Sequence, residues 1–192
     1  MDNYLDDIRH EFRESILVKE QSINLAPKIA SASTEIVKRL KSGGKVILFG
    51  NGGSAADSQH IAAEFINIMY NKNRAALPAI ALTTDSSVLT CISNDSDYTK
   101  VFSRQIEALA SKNDIIIAIS TSGNSKNVIQ GIEAAKKKGV FIVGLTGQDG
   151  GQMKDMVNIL LNVPSSKVSR IQEVHITIGH IICGLVEHDM FP

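Results

Sequence analysis

The sequence predicts an α/β fold, a five-stranded parallel sheet with helices on both faces. Three observations carry the α/β expectation. Apolar runs of strand length alternate with helical periodicity along the chain, the pattern of successive β-α units. Each run is apolar along its length rather than at every second residue, as in strands buried on both faces. Two of the strands lead into Gly- or Ser-rich turns that open helices, at the carboxyl ends where ligands of such sheets sit.

Residues 3–20 carry Leu5, Ile8, Phe12 and Ile16 at helical spacing, an amphipathic helix. A second helix spans about Ala26 to Lys41, with Pro27 in its first turn, a stripe of Ile29, Ile36 and Leu40, and Gly43-Gly44 as its stop. These two helices exceed what a minimal sheet needs. They read as an N-terminal extension (about 1–42) of a single domain covering 1–192, available for a subunit contact. The first strand, Val46 to Phe49, turns through Gly50-Asn51-Gly52-Gly53 into a helix that includes Glu64. Ser54 is its expected N-cap, with Asp57 in the capping-box position. PAIALTT (78–84) is the second strand, followed by a short helix to Ser93, a polar turn at 94–97, and a helix from about Tyr98 to Ala110. The third strand, 114–120, meets the loop Thr121-Ser122-Gly123-Asn124-Ser125 and a helix ending at Lys138-Gly139. Strand four is 141–147, followed by the glycine-rich QDGGQ segment, and strand five, 159–163, stops at Pro164. The last helix, about Arg170 to His188, carries Ile171, Val174, Ile176, Ile178, Ile181, Ile182, Leu185 and Val186 around its circumference. A helix apolar all round is buried, so this one is expected to be an interface helix covered by another subunit.

Composition narrows the function classes. A chain of 192 residues, 43% hydrophobic, can bury one good core. Basic and acidic residues number 20 each with no basic block, which argues against nucleic acid as the main partner. The apolar runs fall far short of a membrane span, and MDNYLDDIRHEF is too polar for a signal peptide. Cys91 and Cys183 stand outside any metal or redox spacing, so a reducing cytoplasm is the expected compartment.

The chemistry gathers at the two turns. Glycines let backbone approach a ligand, and a helix N-terminus offers N–H groups and a positive dipole end to an anion. One helical turn separates His60 from Glu64, so both project from one face. Ser120, Thr121, Ser122 and Ser125 surround Gly123 at the next helix start, a strong oxyanion-binding pattern whose plain alternative is routine capping of orphan N–H groups. His60 and Glu64 read equally as an exposed i,i+4 pair, and His180, among isoleucines, as a satisfied core histidine. An anion cradle beside a His/Glu pair points to chemistry on a phosphorylated small molecule.

Three segments, GNGGSAADSQHIAAE, ISTSGNS and RIQEVHITIGH, together resemble the phosphoheptose (sedoheptulose 7-phosphate) isomerase family of the SIS, or sugar isomerase, superfamily. The likeness covers essentially the whole chain. It implies a SIS-type, Rossmann-like three-layer fold, a homotetramer with active sites between subunits, and interconversion of sedoheptulose 7-phosphate and D-glycero-D-manno-heptose 7-phosphate. That reaction is the first step towards the nucleotide-activated heptose of bacterial lipopolysaccharide, capsule or S-layer glycan. The resemblance also implies zinc held by His60, Glu64, Gln172 and His180. Substrate contacts carried over in the same way are Asn51, Gly52, Gly53, Glu64, Asn94, Asp95, Ser120, Thr121, Ser122, Ser125 and Gln172. His10, His175 and His188 are left as structural or surface residues.

Moving a carbonyl from C2 to C1 removes an α proton and reprotonates the neighbouring carbon through an enediol. This needs a base, an acid and a hold on the enediolate oxygens. On the matched motif Glu64 is the base and His180 the acid, while zinc would polarise the carbonyl. Gln172 is a weak neutral ligand, so a purely substrate-binding role stays open for it. It also stands eight residues from His180, about 12 Å along a helix axis, a stretch for two side chains sharing an ion at about 2 Å from each. A complete site is therefore expected to draw on more than one copy of the C-terminal helix.

The chain departs from the family pattern at Ile68, where an arginine is common, and at Ser169, where some members have aspartate. These departures bear on sugar-hydroxyl or phosphate recognition and leave the base, acid and metal set intact. Two other functions compete. Residues 50–55 fit the dinucleotide pattern GxGxxA, but the acidic residue it wants about 20 positions on is not at the next strand's end, which falls near Thr84 and Asp85, about 30 residues beyond. A binding-only SIS protein, such as a sugar-phosphate sensor or a DNA-replication-initiation factor, has no need of Glu64, Gln172 and His180 together.

Overall fold

The computed structural model describes residues 2–192, with side chains from Tyr4 onward. Strands β1 (Val46–Gly50), β2 (Ala79–Ala81), β3 (Ile115–Ile119), β4 (Phe141–Thr146) and β5 (Ile159–Asn162) form one parallel sheet in the order β2-β1-β3-β4-β5. The helices are α1 (Asp2–Ser22), α2 (Ala26–Lys41), α3 (Gly53–Ile66), α4 (Ser86–Asp95), α5 (Val101–Leu109), α6 (Lys126–Lys137) and α7 (Val168–Met190).

Alternate residues of a strand point to opposite faces, and here both faces are buried. Val46 and Leu48 join one core with α2, α3 and α7, while Ile47 and Phe49 join another with α5 and α6. This is why the strands read as apolar throughout. The chain leaves β1 towards β2 on one side and β3 towards β4 on the other. The β1/β3 pair, in register from Val46↔Ile115 to Gly50↔Ile119, is thus the point where the winding reverses and a crevice opens at the strand ends.

Several local expectations are revised. The N-cap of α3 is Gly52, at φ +55, while Ser54 lies inside the first turn and is buried. A positive φ lets the chain turn from β1 straight into the helix, and glycine adopts it without strain. Strand β2 is shorter than 78–84, because after Ala81 the chain turns and only the Leu82 N–H still bonds the Leu48 carbonyl. Helix α4 continues to Asp95, so Asn94 and Asp95 stand in its last turn rather than in a loop. Asp97 then accepts from the Thr99 N–H at 2.7 Å and starts the 3-10 turn Tyr98–Lys100.

Helix α1 is fastened to α7 by charge: Lys167 Nζ meets Glu11 and Glu14 at 2.7 Å each, and Arg170 donates to the Glu11 carbonyl at 2.7 Å. Its apolar stripe of Leu5, Ile8, Phe12 and Ile16 faces outward, with Phe12 68% exposed. Helix α7 buries Ile171, Val174, Ile178, Ile182 and Val186 within the chain and leaves Ile181 and Leu185 exposed. Its all-round apolarity is therefore only half used. Among the described residues, no helix is long and apolar enough to cross a membrane.

Candidate active site

Helices α3 and α7 come close at Gly179, where an added Cβ would stand 2.5 Å from Ile61 Cδ1. A glycine is required for that approach. His60 precedes Ile61 and His180 follows Gly179, so the crossing brings the two imidazoles together. Their Nε2 atoms lie 3.2 Å apart, with ring centroids 4.9 Å apart and planes at 70°. Glu64, one turn on from His60, places Oε1 3.3 Å from His60 Nε2. One ligand atom from each of the three lies within 4.8 Å of the others, His60 being exposed and its partners half-buried.

This donor set fits a zinc ion. Two atoms each about 2.0–2.1 Å from a tetrahedral zinc stand about 3.3 Å apart, the spacing of His60 Nε2 from both Glu64 Oε1 and His180 Nε2. Two imidazole nitrogens and a carboxylate oxygen turned towards one point also call for a shared proton or cation. The three come from a single chain, so none of them needs a second copy of α7. Gln172 lies against the glycine turn, its amide filling the space that a Cβ on Gly53 would take, two helical turns before His180.

The two cradles stand side by side over β1 and β3. The Asn51 and Asn127 amides bond reciprocally, each Nδ2 donating to the other's Oδ1 at 2.8 Å, and the Val128 N–H also donates to Asn127 Oδ1. The start of α6 thereby fixes Asn51 in the glycine turn. Tyr98 reaches the same turn, its hydroxyl 3.4 Å from Asn51 Oδ1. In the hydroxyl loop Ser120 and Ser125 share a hydrogen bond of 3.0 Å, and Ser122 accepts from the Asn124 N–H at 3.2 Å. The QDGGQ segment packs on this loop. Met153 N–H donates to the Gly123 carbonyl and Gln152 N–H to Asn124 Oδ1, and a Cβ on Gly123 would strike the Gly150 backbone. Thr121 is tied in through its carbonyl, which accepts from Gly147 N–H at 2.9 Å.

Asn94 and Asp95 bond to each other at 2.8 Å, and Cys91 Sγ contacts Asp95 at 3.4 Å. Neither side chain is hydrogen-bonded to either cradle. Asp57, one turn before His60, keeps a buried Oδ2 with no partner. Burial raises its carboxyl above the usual range, against the pull of His60. Asn127, Gly179 and Asp57 were not assigned to the site from sequence. Asn127 had a local signal, an amide two residues past the last loop serine; the meeting of Gly179 with Ile61 had none.

A SIS domain model matches residues 10–147. Phosphoheptose isomerase 2 of Campylobacter jejuni is 48% identical over 194 aligned residues, 100% of this chain and 96% of that protein. Two solved structures superpose closely. The phosphoheptose isomerase of Neisseria gonorrhoeae is 40% identical with a TM-score of 0.91, covering 96% of this chain and 99% of that one. That of Francisella tularensis is 36% identical with a TM-score of 0.93, covering 96% and 98%. With the same fold, near-complete coverage and the donor set at the crossing of α3 and α7, the chain belongs to the phosphoheptose isomerase family of SIS-domain proteins.

Proposed function

We propose that this chain interconverts sedoheptulose 7-phosphate and D-glycero-D-manno-heptose 7-phosphate, with Glu64 as base and His180 as the complementary acid. The observation that carries the reading is the convergence of His60, Glu64 and His180, and the N-termini of α3 and α6 are suited to an anion. The Ser120–Ser125 loop and the start of α6 hold the phosphate, with Ser120, Thr121, Ser122 and Ser125 as its contacts. Asn51, Gly52, Gly53 and Gln172 line the sugar, and Asn94 and Asp95 close over its far end. With the phosphate pinned, the reacting carbons are presented to Glu64 at high effective concentration. Glu64 has two oxygens: one faces His60, and the other takes the proton next to the carbonyl and returns it to the neighbouring carbon. His180 moves the proton between the two sugar oxygens as the enediol forms and collapses.

Zinc held by His60, Glu64, His180 and Gln172 would polarise the carbonyl and keep the two oxygens cis. A homotetramer is the assembly we infer, supported by the outward stripe of α1 and by Ile181 and Leu185 on α7. A phosphorylated substrate and two cysteines that form no disulfide, Cys91 and Cys183, fit a cytoplasmic enzyme.

The test follows aldose formation from sedoheptulose 7-phosphate by NMR, with sugar-phosphate binding measured calorimetrically in parallel. Glu64→Gln is expected to lower kcat by about 10³-fold or more while binding weakens less than about tenfold. Turnover by the variant within tenfold of the unaltered protein would remove Glu64 from the base role.

A further inference from the structure

Glu64 lies in the last turn of α3, and the final carbonyls of a helix have no partner within it. Arg74 takes up one of them. Its Nη2 donates to the Glu64 carbonyl at 2.6 Å, Nη1 to the Ala75 carbonyl at 2.9 Å, and Nε to Glu187 Oε2 at 2.6 Å. Glu187 also accepts the N–H groups of Met69, Tyr70 and Asn71 at 2.9, 2.7 and 2.8 Å. The side chains of Arg74 and Glu187 are only 1% and 5% exposed. Glu187 belongs to α7, seven residues beyond His180, and so lies on the same side of that helix.

A closed circuit results. His180 leads along α7 to Glu187, across the ion pair to Arg74, and through its guanidinium to the backbone of Glu64, whose side chain returns to His60 and His180. A buried ion pair is weak support for stability, because apolar replacements often serve as well. What a planar guanidinium adds is a fixed geometry between several acceptors.

We propose that Arg74 and Glu187 are positioning residues, which set the spacing of Glu64 from His180 and with it the turnover and the metal affinity of the site. The proposal rests on the roles given above to Glu64 and His180.

Two variants test it. Glu187→Gln removes the charge, and Arg74→Lys keeps the ion pair but loses the arm to the Glu64 carbonyl. For each purified protein the melting temperature, kcat and KM are measured, together with Zn²⁺ affinity by competition with a chromogenic chelator. In folded Arg74→Lys, kcat is expected to fall about tenfold or more, KM to stay within about twofold, and zinc to bind about tenfold more weakly. A folded Arg74→Lys protein with unchanged kcat and zinc affinity would overturn the role of Arg74, and a folded Glu187→Gln protein with both unchanged would overturn that of Glu187. If the unaltered protein has no turnover, the isomerase reading fails instead, and the zinc affinities still decide the positioning role.

Discussion

His175 occupies α7 between Gln172 and His180 and is fully buried, its Nε2 3.0 Å from the Thr146 carbonyl and its Nδ1 without a partner. Burial pushes its pKa down from 6.5 to about 4, against the Thr146 bond, which acts upward. The native imidazole is therefore neutral where an unfolded one would already take up a proton. Between pH 6.5 and about 4 the unfolded chain binds more protons, so stability falls as pH falls through that window. At full extent the loss is roughly 3 kcal/mol. Melting temperature followed from pH 7.5 to 4 should drop for the unaltered protein and drop less for His175→Gln, whose amide can still reach the Thr146 carbonyl. Equal slopes would remove His175 as the cause. The sequence reading of His175 as structural holds, because a histidine on an apolar helix face has a backbone carbonyl within reach more often than a ligand. Asn51 was legible from its place in a glycine turn and Asn127 from its place after the hydroxyl loop, whereas their pairing across 76 residues leaves no local mark.

Element types, strand order along the chain and the sites of both cradles were legible, because buried strands and helix starts leave local marks. The meeting of α3 and α7 was not. Periodicity identifies each helix but carries no record of its neighbour, and the glycine that sets their approach looks like an ordinary interruption of an isoleucine-rich helix. Spacing along α7 leads to the expectation that a complete site draws on more than one copy of that helix; His60 and Glu64 from α3 join His180 within one chain, so the expectation bears on Gln172 alone. Gly179→Ala tests the crossing. The added methyl presses on buried Ile61, an overpacking cost of about 1–3 kcal/mol, and it moves His180 away from His60. A lower melting temperature together with at least tenfold lower kcat is expected; a stable, fully active alanine variant would mean that the helix spacing is not set there.

At the scale of the molecule, one apolar region stands out on the surface, while Ile66, Tyr98 and Leu109 are exposed elsewhere. The stripe on α1, exposed Ile181 and Leu185, and a hollow of about 330 Å³ between Ile23, Ala26 and Ile29 on one side and Val174, Ile178 and Ile181 on the other form that region. None of the residues lining that hollow belongs to the catalytic set, so association through it would not block the crevice over β1 and β3. Two of the helices that present this surface are also tied to the site: α7 carries His180, and α1 is bound to the start of α7 through Lys167 and Arg170. On the proposed reading the fold divides its work: the loops after β1 and β3 hold an anion, and the α3–α7 pair supplies the reacting groups. The most direct measurement of that division is a crystal structure of Glu64→Gln soaked with sedoheptulose 7-phosphate. The account predicts the phosphate among Ser120, Thr121, Ser122 and Ser125, with C1 and C2 between residue 64 and His180. A sugar phosphate bound with those carbons away from the meeting of α3 and α7 would contradict it.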